Sequence, residues 1–185
     1  MVRILGKAVS DWRTEMARWS TDGLVEPLND ATVSNWQVSA ESRVLLSEVG
    51  LPAFGSIFTR CPQDKEEPLA PPYYILGMEA VGRHPHVLST DSACGCGYFG
   101  VSAADGTVSQ LFPDGEILPV NSTLPLFYYF LHKVGGAWHR SESEISERIA
   151  VRRAEAVMRR LVKKDPILTS GADSFWGYLF ERPWG

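Results

Sequence analysis

Only three cysteines, Cys61, Cys94 and Cys96, stand among the 185 residues. So sparse and odd a set makes no disulfide framework and fits a reducing compartment. Long apolar runs are missing too. The longest, Leu124 to Leu131, holds eight residues with Pro125 counted, against the roughly 20 that a membrane helix needs. The opening MVRILGKAVSDW has too short an apolar stretch for a secretory signal. The cytoplasm is therefore the expected location, with no membrane partner. No basic tract occurs: Lys and Arg total 18 against 22 Asp and Glu, a net charge of −4. That balance disfavours direct nucleic-acid binding through phosphate neutralisation. An internal repeat is also lacking, and so are the nucleophile elbow, the phosphate-binding loop, the dinucleotide fingerprint and the zincin helix motif.

What is present is ordinary globular material, 44% hydrophobic and 22% charged, which one domain over residues 1–185 accommodates. Charge is uneven along it. Residues 1–140 carry 10 basic and 15 acidic side chains, net −5, while 141–185 carry 8 and 7, net +1. An acidic body of this kind attracts a basic partner.

Val9, Trp12, Met16 and Trp19 recur at spacings of three and four, which predicts a helix from Lys7 to Trp19, ended by Asp22-Gly23. An extended piece over Leu24 to Leu28 and a polar stretch with Trp36 follow. Ser39 is placed to cap a second helix, Ala40 to Glu48, which Gly50 and Pro52 stop. Residues 62–72, PQDKEEPLAPP, read as a solvated proline loop whose tip carries Asp64, Glu66 and Glu67. Short apolar runs then alternate with turn residues, as in an antiparallel meander of about five to six strands. Tyr73–Gly77, His86–Ser89, Gly97–Ser102, Thr107–Phe112 and Glu116–Val120 are the expected strands, and Pro119 puts the last at an edge. An apolar helix begins after Asn121-Ser122-Thr123 and is expected to break at Gly135-Gly136. A long helix follows over Glu142 to Lys164, with Ser141 and Glu144 as a capping box. Asp165-Pro166 stops it, and a last helix, capped by Asp173, puts Phe175, Trp176, Leu179 and Phe180 on one face. The sum is an α+β fold: a mainly antiparallel, curved sheet with helices on one face and at both termini. Residues 39–134 would hold the helix and sheet core, and residues 141–185 the C-terminal helices.

Chemistry is thinly represented. Paired carboxylates sit in a solvated loop or in a helix first turn, where neither needs an acid/base role. His84-Pro85-His86 followed by Cys94-Gly95-Cys96, with Cys61 as a further candidate, is the one set suited to zinc. Structural zinc sites favour Cys-x-x-Cys over the Cys-x-Cys found here, so the cysteines also read as small buried apolar residues. The zinc deaminase pattern of His-x-Glu with Pro-Cys-x-x-Cys lacks both its glutamate and its spacing. A thiol nucleophile on Cys94 with His84 or His86 as base lacks a third, orienting group. No catalytic residue and no cofactor are assigned. Trp36, Trp138 and Trp184 fall outside the amphipathic patterns and suit partner anchoring or packing on their own domain.

Taken in order, several short motifs resemble the SUKH superfamily of bacterial immunity proteins, and within it the fourth type. They are Leu45-Leu46-Ser47-Glu48-Val49-Gly50-Leu51-Pro52, the hairpin around Asp105-Gly106-Thr107-Val108, and Val120-Asn121-Ser122-Thr123-Leu124 leading into the Phe127–Leu131 helix. The ending Asp165-Pro166 with Trp176 and Glu181 completes the set. Residues 1–30 and the segment from His84 to Cys96 are not matched. The resemblance implies an α+β, non-enzymatic antidote that binds a cognate polymorphic toxin, often a nuclease or a deaminase. Asp64, Glu66 and Glu67 are the partner-binding candidates, and His84, His86, Cys94 and Cys96 the metal ligands of the alternative reading, a small zinc enzyme or module. A regulatory or scaffold protein of the same fold is the other alternative.

Overall fold

The computed structural model describes residues 3–53, 58, 73–78, 97–141, 147–165, 167–168 and 174–181. A small hairpin, β1 (Arg3–Ile4) and β2 (Lys7–Ala8), leads directly into helix α1 (Val9–Ala17). The helix thus begins two residues later than its apolar spacing suggested, because Lys7 and Ala8 are taken up in strand pairing. Its inner face is as expected: Trp12, Met16 and Trp19 are buried. After a tight 3₁₀ turn at Thr21–Gly23, strand β3 (Val25–Glu26) pairs antiparallel with β4 (Leu51–Pro52). Between them lie α2 (Asp30–Ser34) and α3 (Ala40–Val44). The first occupies the stretch read as merely polar, because Asn29 caps it by accepting from the Ala31 N–H at 2.8 Å.

Ser39 caps α3 as expected, accepting from the Ser42 N–H at 3.1 Å. The helix then widens into a π-turn over Leu45–Val49, closed by the Gly50 N–H on the Leu45 carbonyl at 2.9 Å. Two outside donors hold that widened turn: the Tyr128 hydroxyl reaches the Leu45 carbonyl at 3.2 Å, and the Leu28 N–H reaches the Leu46 carbonyl at 2.9 Å. Leu45, Leu46 and Val49 are all buried in consequence.

The sheet is an open antiparallel meander in the order β5 (Tyr73–Met78), β6 (Tyr98–Ser102), β7 (Val108–Leu111), β8 (Ile117–Asn121). The described residues hold four strands of it; the strand expected at His86–Ser89 lies outside them. Asp105 and Asp114 shape the two hairpins by accepting from the Thr107 and Glu116 N–H groups at 3.0 and 3.1 Å. The Thr107 backbone bond, helped by the Thr107 hydroxyl, holds the Asp105 carboxyl below its usual range. Pro119 lies on the edge strand β8, where a missing N–H costs nothing. Register shifts after Ile75 and after Val108 bend the outer strands.

One face of the sheet, with Leu76, Phe99, Val101, Val108 and Val120, carries the main core. On it lies α4 (Leu124–Ser141), whose Phe127, Tyr128, Phe130, Leu131 and Val134 are fully buried. Phe99 meets Phe127 at 5.8 Å and Phe175 at 4.8 Å between ring centroids. Helices α5 (Glu147–Val162) and α6 (Phe175–Glu181) complete the layer. Ser174 caps α6, accepting from the Gly177 N–H at 3.0 Å; the cap expected at Asp173 lies outside the described residues. Of the two roles open to Trp36, packing on its own domain is the one the structure shows: it is buried and stacked on Tyr74, centroids 4.8 Å apart and planes 7° from parallel. The side chains of Trp138 and Trp184 lie outside the described set.

The helix break expected at Gly135-Gly136 does not occur, since α4 runs through to Ser141. Gly135 is there for space. A Cβ on it would stand 2.3 Å from the ring of Trp19, so its bare backbone lets the α1 end pack on α4. The helix keeps its turn across both glycines because the flanking residues are held in the core, which outweighs about 1 kcal/mol of propensity per glycine.

Candidate functional site

Every residue nominated from the sequence as a site lies outside the described residues. This holds for Asp64, Glu66 and Glu67, and for Cys61, His84, His86, Cys94 and Cys96. Among the described residues no group of three or more His, Cys, Asp or Glu is placed to hold a metal. Three other constellations are fully described.

The first joins α1 to α4. Glu15 accepts from the Lys7 ammonium, and its Oε2 lies 3.0 Å from His132 Nε2. On the far side of the imidazole, Trp19 Nε1 donates to His132 Nδ1 at 3.3 Å, and the Trp12 ring meets its edge at 5.5 Å. A carboxylate orienting a histidine resembles a base and its positioning group. Here the nitrogen that would act on a substrate already accepts from an indole. A hydrogen on Nε2 satisfies both contacts, and the pair ties helices together.

Glu15 is held below the ordinary carboxylate range chiefly by the hydrogen bond from Lys7; burial opposes this, and nearby positive charge, chiefly that of Lys7, assists it. Its side chain is 35% exposed, so solvent screens much of the effect. A depressed folded-state value contributes stability above the unfolded glutamate pKa of about 4.3, and that contribution is lost as pH falls through the folded value. Urea midpoints measured from about pH 6 down to about pH 3 should therefore fall less steeply for Glu15→Gln than for the unsubstituted chain. Parallel profiles would show that the Lys7–Glu15 pair contributes nothing.

A second constellation is buried. Asp165, after the end of α5, accepts through Oδ2 from Asn121 Nδ2 at 3.0 Å and from the Ser122 N–H at 2.9 Å, and through Oδ1 from the Ile167 N–H at 3.4 Å. Asn121 Oδ1 in turn accepts from Trp176 Nε1 at 3.0 Å. Asn121, Asp165 and Trp176 are each 0% exposed. Among the described residues no cation pairs with Asp165; backbone and amide donors, and the N-terminal end of the 18-residue α4, serve the carboxylate instead. The β8–α4 junction, the end of α5 and the start of α6 are thereby clamped at one point.

The third is a charged face. Arg152, Arg153, Arg159 and Arg160 of α5 are exposed, and Lys163 and Lys164 continue them past its end. At 100° per residue, Arg152, Arg159 and Lys163 form one row, and Arg153, Arg160 and Lys164 a second beside it. The opposite side, Val157, Met158, Leu161 and Val162, packs on the core. Among the described residues one carboxylate sits with these cations: Glu155, 3.6 Å from Arg159. The Lys164 row adjoins α4, where the ammonium groups of Lys164 and Lys133 lie 5.5 and 5.4 Å from the Tyr129 ring centroid. Arg159, Arg160, Lys163 and Lys164 also suit a helix C-terminus, a role that leaves Arg152 and Arg153 out. Their spacings of seven and four were the available sign of a face.

These features define an α+β protein whose three described polar constellations are either locked in structural bonds or spread on a solvent-facing surface. The chain belongs to the SUKH-4 immunity protein family, whose model matches residues 12–182. Neither a curated protein nor a solved structure matches it. The motifs carrying the resemblance meet in the structure, since Asn121, Asp165 and Trp176 are the members of the buried clamp. Membership indicates a toxin-immunity role with a toxin as the kind of partner. No helix among the described residues is long and apolar enough to cross a membrane.

Proposed function

We propose that this chain is the antidote to a polymorphic toxin of nuclease or deaminase type, which it binds and blocks without chemistry of its own. The family match over residues 12–182 carries this reading. The closed hydrogen bonding of His132 supports it, as both ring nitrogens of this histidine are engaged within the fold. Blocking by occlusion needs only a complementary surface and slow dissociation. The test is co-expression with the product of the adjoining reading frame in a heterologous host. Growth should be restored, and the two chains should co-purify. Without this chain, a nuclease would leave degraded nucleic acid and a deaminase would leave base changes. Failure of both rescue and co-purification would overturn the reading.

A further inference from the structure

We propose that the cationic face of α5, continued by Tyr129 and Lys133 of α4, is the surface on which the toxin docks, and that the toxin meets it with an acidic face. This deepens the immunity reading and rests on it. Among the described residues, six cations line a little over two turns of helix and the turn after it, and Glu155 is the one carboxylate among them. Arg159 with Lys163, and Arg160 with Lys164, crowd like charge together across the end of the helix. Capping the helix end explains Arg159, Arg160, Lys163 and Lys164, but not Arg152 and Arg153 in mid-helix. A carboxylate-bearing partner relieves that repulsion, and four arginines offer it paired donors in fork geometry. Tyr129, half-buried between two ammonium groups, adds the rigid aromatic that interface centres favour. A protein suits the face better than a nucleic acid. The chain as a whole carries −4, and residues 9–50 expose Asp11, Asp22, Asp30, Glu41 and Glu48, which a long polyanion would have to avoid. The direction is opposite to that suggested by net charge alone, which favoured a basic partner.

The test compares the unsubstituted chain with Arg153→Glu/Arg160→Glu and with the milder Arg153→Gln/Arg160→Gln, probed with a catalytically inactive form of the adjoining reading frame's product. All four substitutions lie on the solvent side of α5, and circular dichroism with a melting curve checks that the fold is kept. The double reversal should weaken binding about a hundredfold or more, mostly through slower association, and the neutral pair about tenfold. The salt dependence of association should flatten in both. Asp30→Asn/Glu41→Gln should bind as the unsubstituted chain does. Binding within about threefold in the reversal variant overturns the docking surface and leaves the immunity reading standing. Absence of binding by the unsubstituted chain overturns both. Arginine-dependent binding to a 20-base-pair DNA duplex at physiological salt, tighter than to the toxin, overturns the acidic-protein partner.

Discussion

Gly50→Ala is expected to remove about 4 kcal/mol or more of folding stability, one of the largest single-residue effects in this chain. Gly50 has φ 89° and ψ 170°, a region essentially reserved for glycine. A Cβ there would also stand 2.5 Å from the Glu26 carbonyl carbon and the Pro27 nitrogen, which are backbone atoms with no rotamer to change. Relief requires β3 to move away from the end of the π-turn, which breaks the Val25–Pro52 and Glu26–Leu51 pairing and opens the packing of Val49 and Leu51. For an urea slope of about 2–3 kcal/mol/M the midpoint should fall by about 1.5 M or more. Gly106→Ala separates the two causes. It has φ 77° with nothing within 4 Å of the added carbon, so only the backbone cost of about 1–2 kcal/mol applies. Equal losses at the two positions would show that the approach to Glu26 and Pro27 is not what requires glycine at residue 50.

The Leu-x-x-x-Gly-Leu-Pro turn therefore has a local physical reason, and the sequence disclosed half of it. A glycine followed by proline reads as a helix stop from its own letters. The strand pressed against it, 24 residues earlier at Glu26, does not. The same division recurs elsewhere. Ser39, the Asp105 and Asp114 turns and the edge position of Pro119 are set by neighbours in the chain, and each stands where periodicity and turn chemistry put it. Gly135 was misread because its reason is Trp19, which no window around residue 135 contains. The cationic face of α5 was hidden differently. Averaging residues 141–185 to +1 joins exposed cations to acids placed elsewhere, such as the buried Asp165, and net charge does not say which side of a helix is wet. The acidic loop and the histidine and cysteine set were legible only as letters, and they lie outside the described residues.

The buried clamp gives the second large effect. Asp165→Ala should cost about 3–5 kcal/mol, because the fully buried Asn121 Nδ2 and the part-buried Ser122 and Ile167 N–H groups lose their acceptor. Asp165→Asn keeps the volume but turns one acceptor into a donor facing other donors, so it should rescue little. Trp176→Phe keeps most of the ring packing against Phe127, Phe130 and Phe175 and removes only the indole N–H, leaving Asn121 Oδ1 unpaired at about 1–3 kcal/mol. Both changes act through Asn121: once Asp165 is gone its amide is free to turn, and the indole bond is already weakened. The double variant Asp165→Ala/Trp176→Phe should therefore lose less than the two singles together, with a coupling of about 1 kcal/mol. Additivity within about 0.3 kcal/mol would show two independent contacts. Coupling would show that the ends of β8, α5 and α6 are held as one unit. Since α5 carries the cationic face, loosening the clamp should also weaken toxin binding in Asp165→Ala under conditions where the chain is still folded. Trp176→Phe, which leaves Asp165 bonded to β8 and α4, should weaken it less.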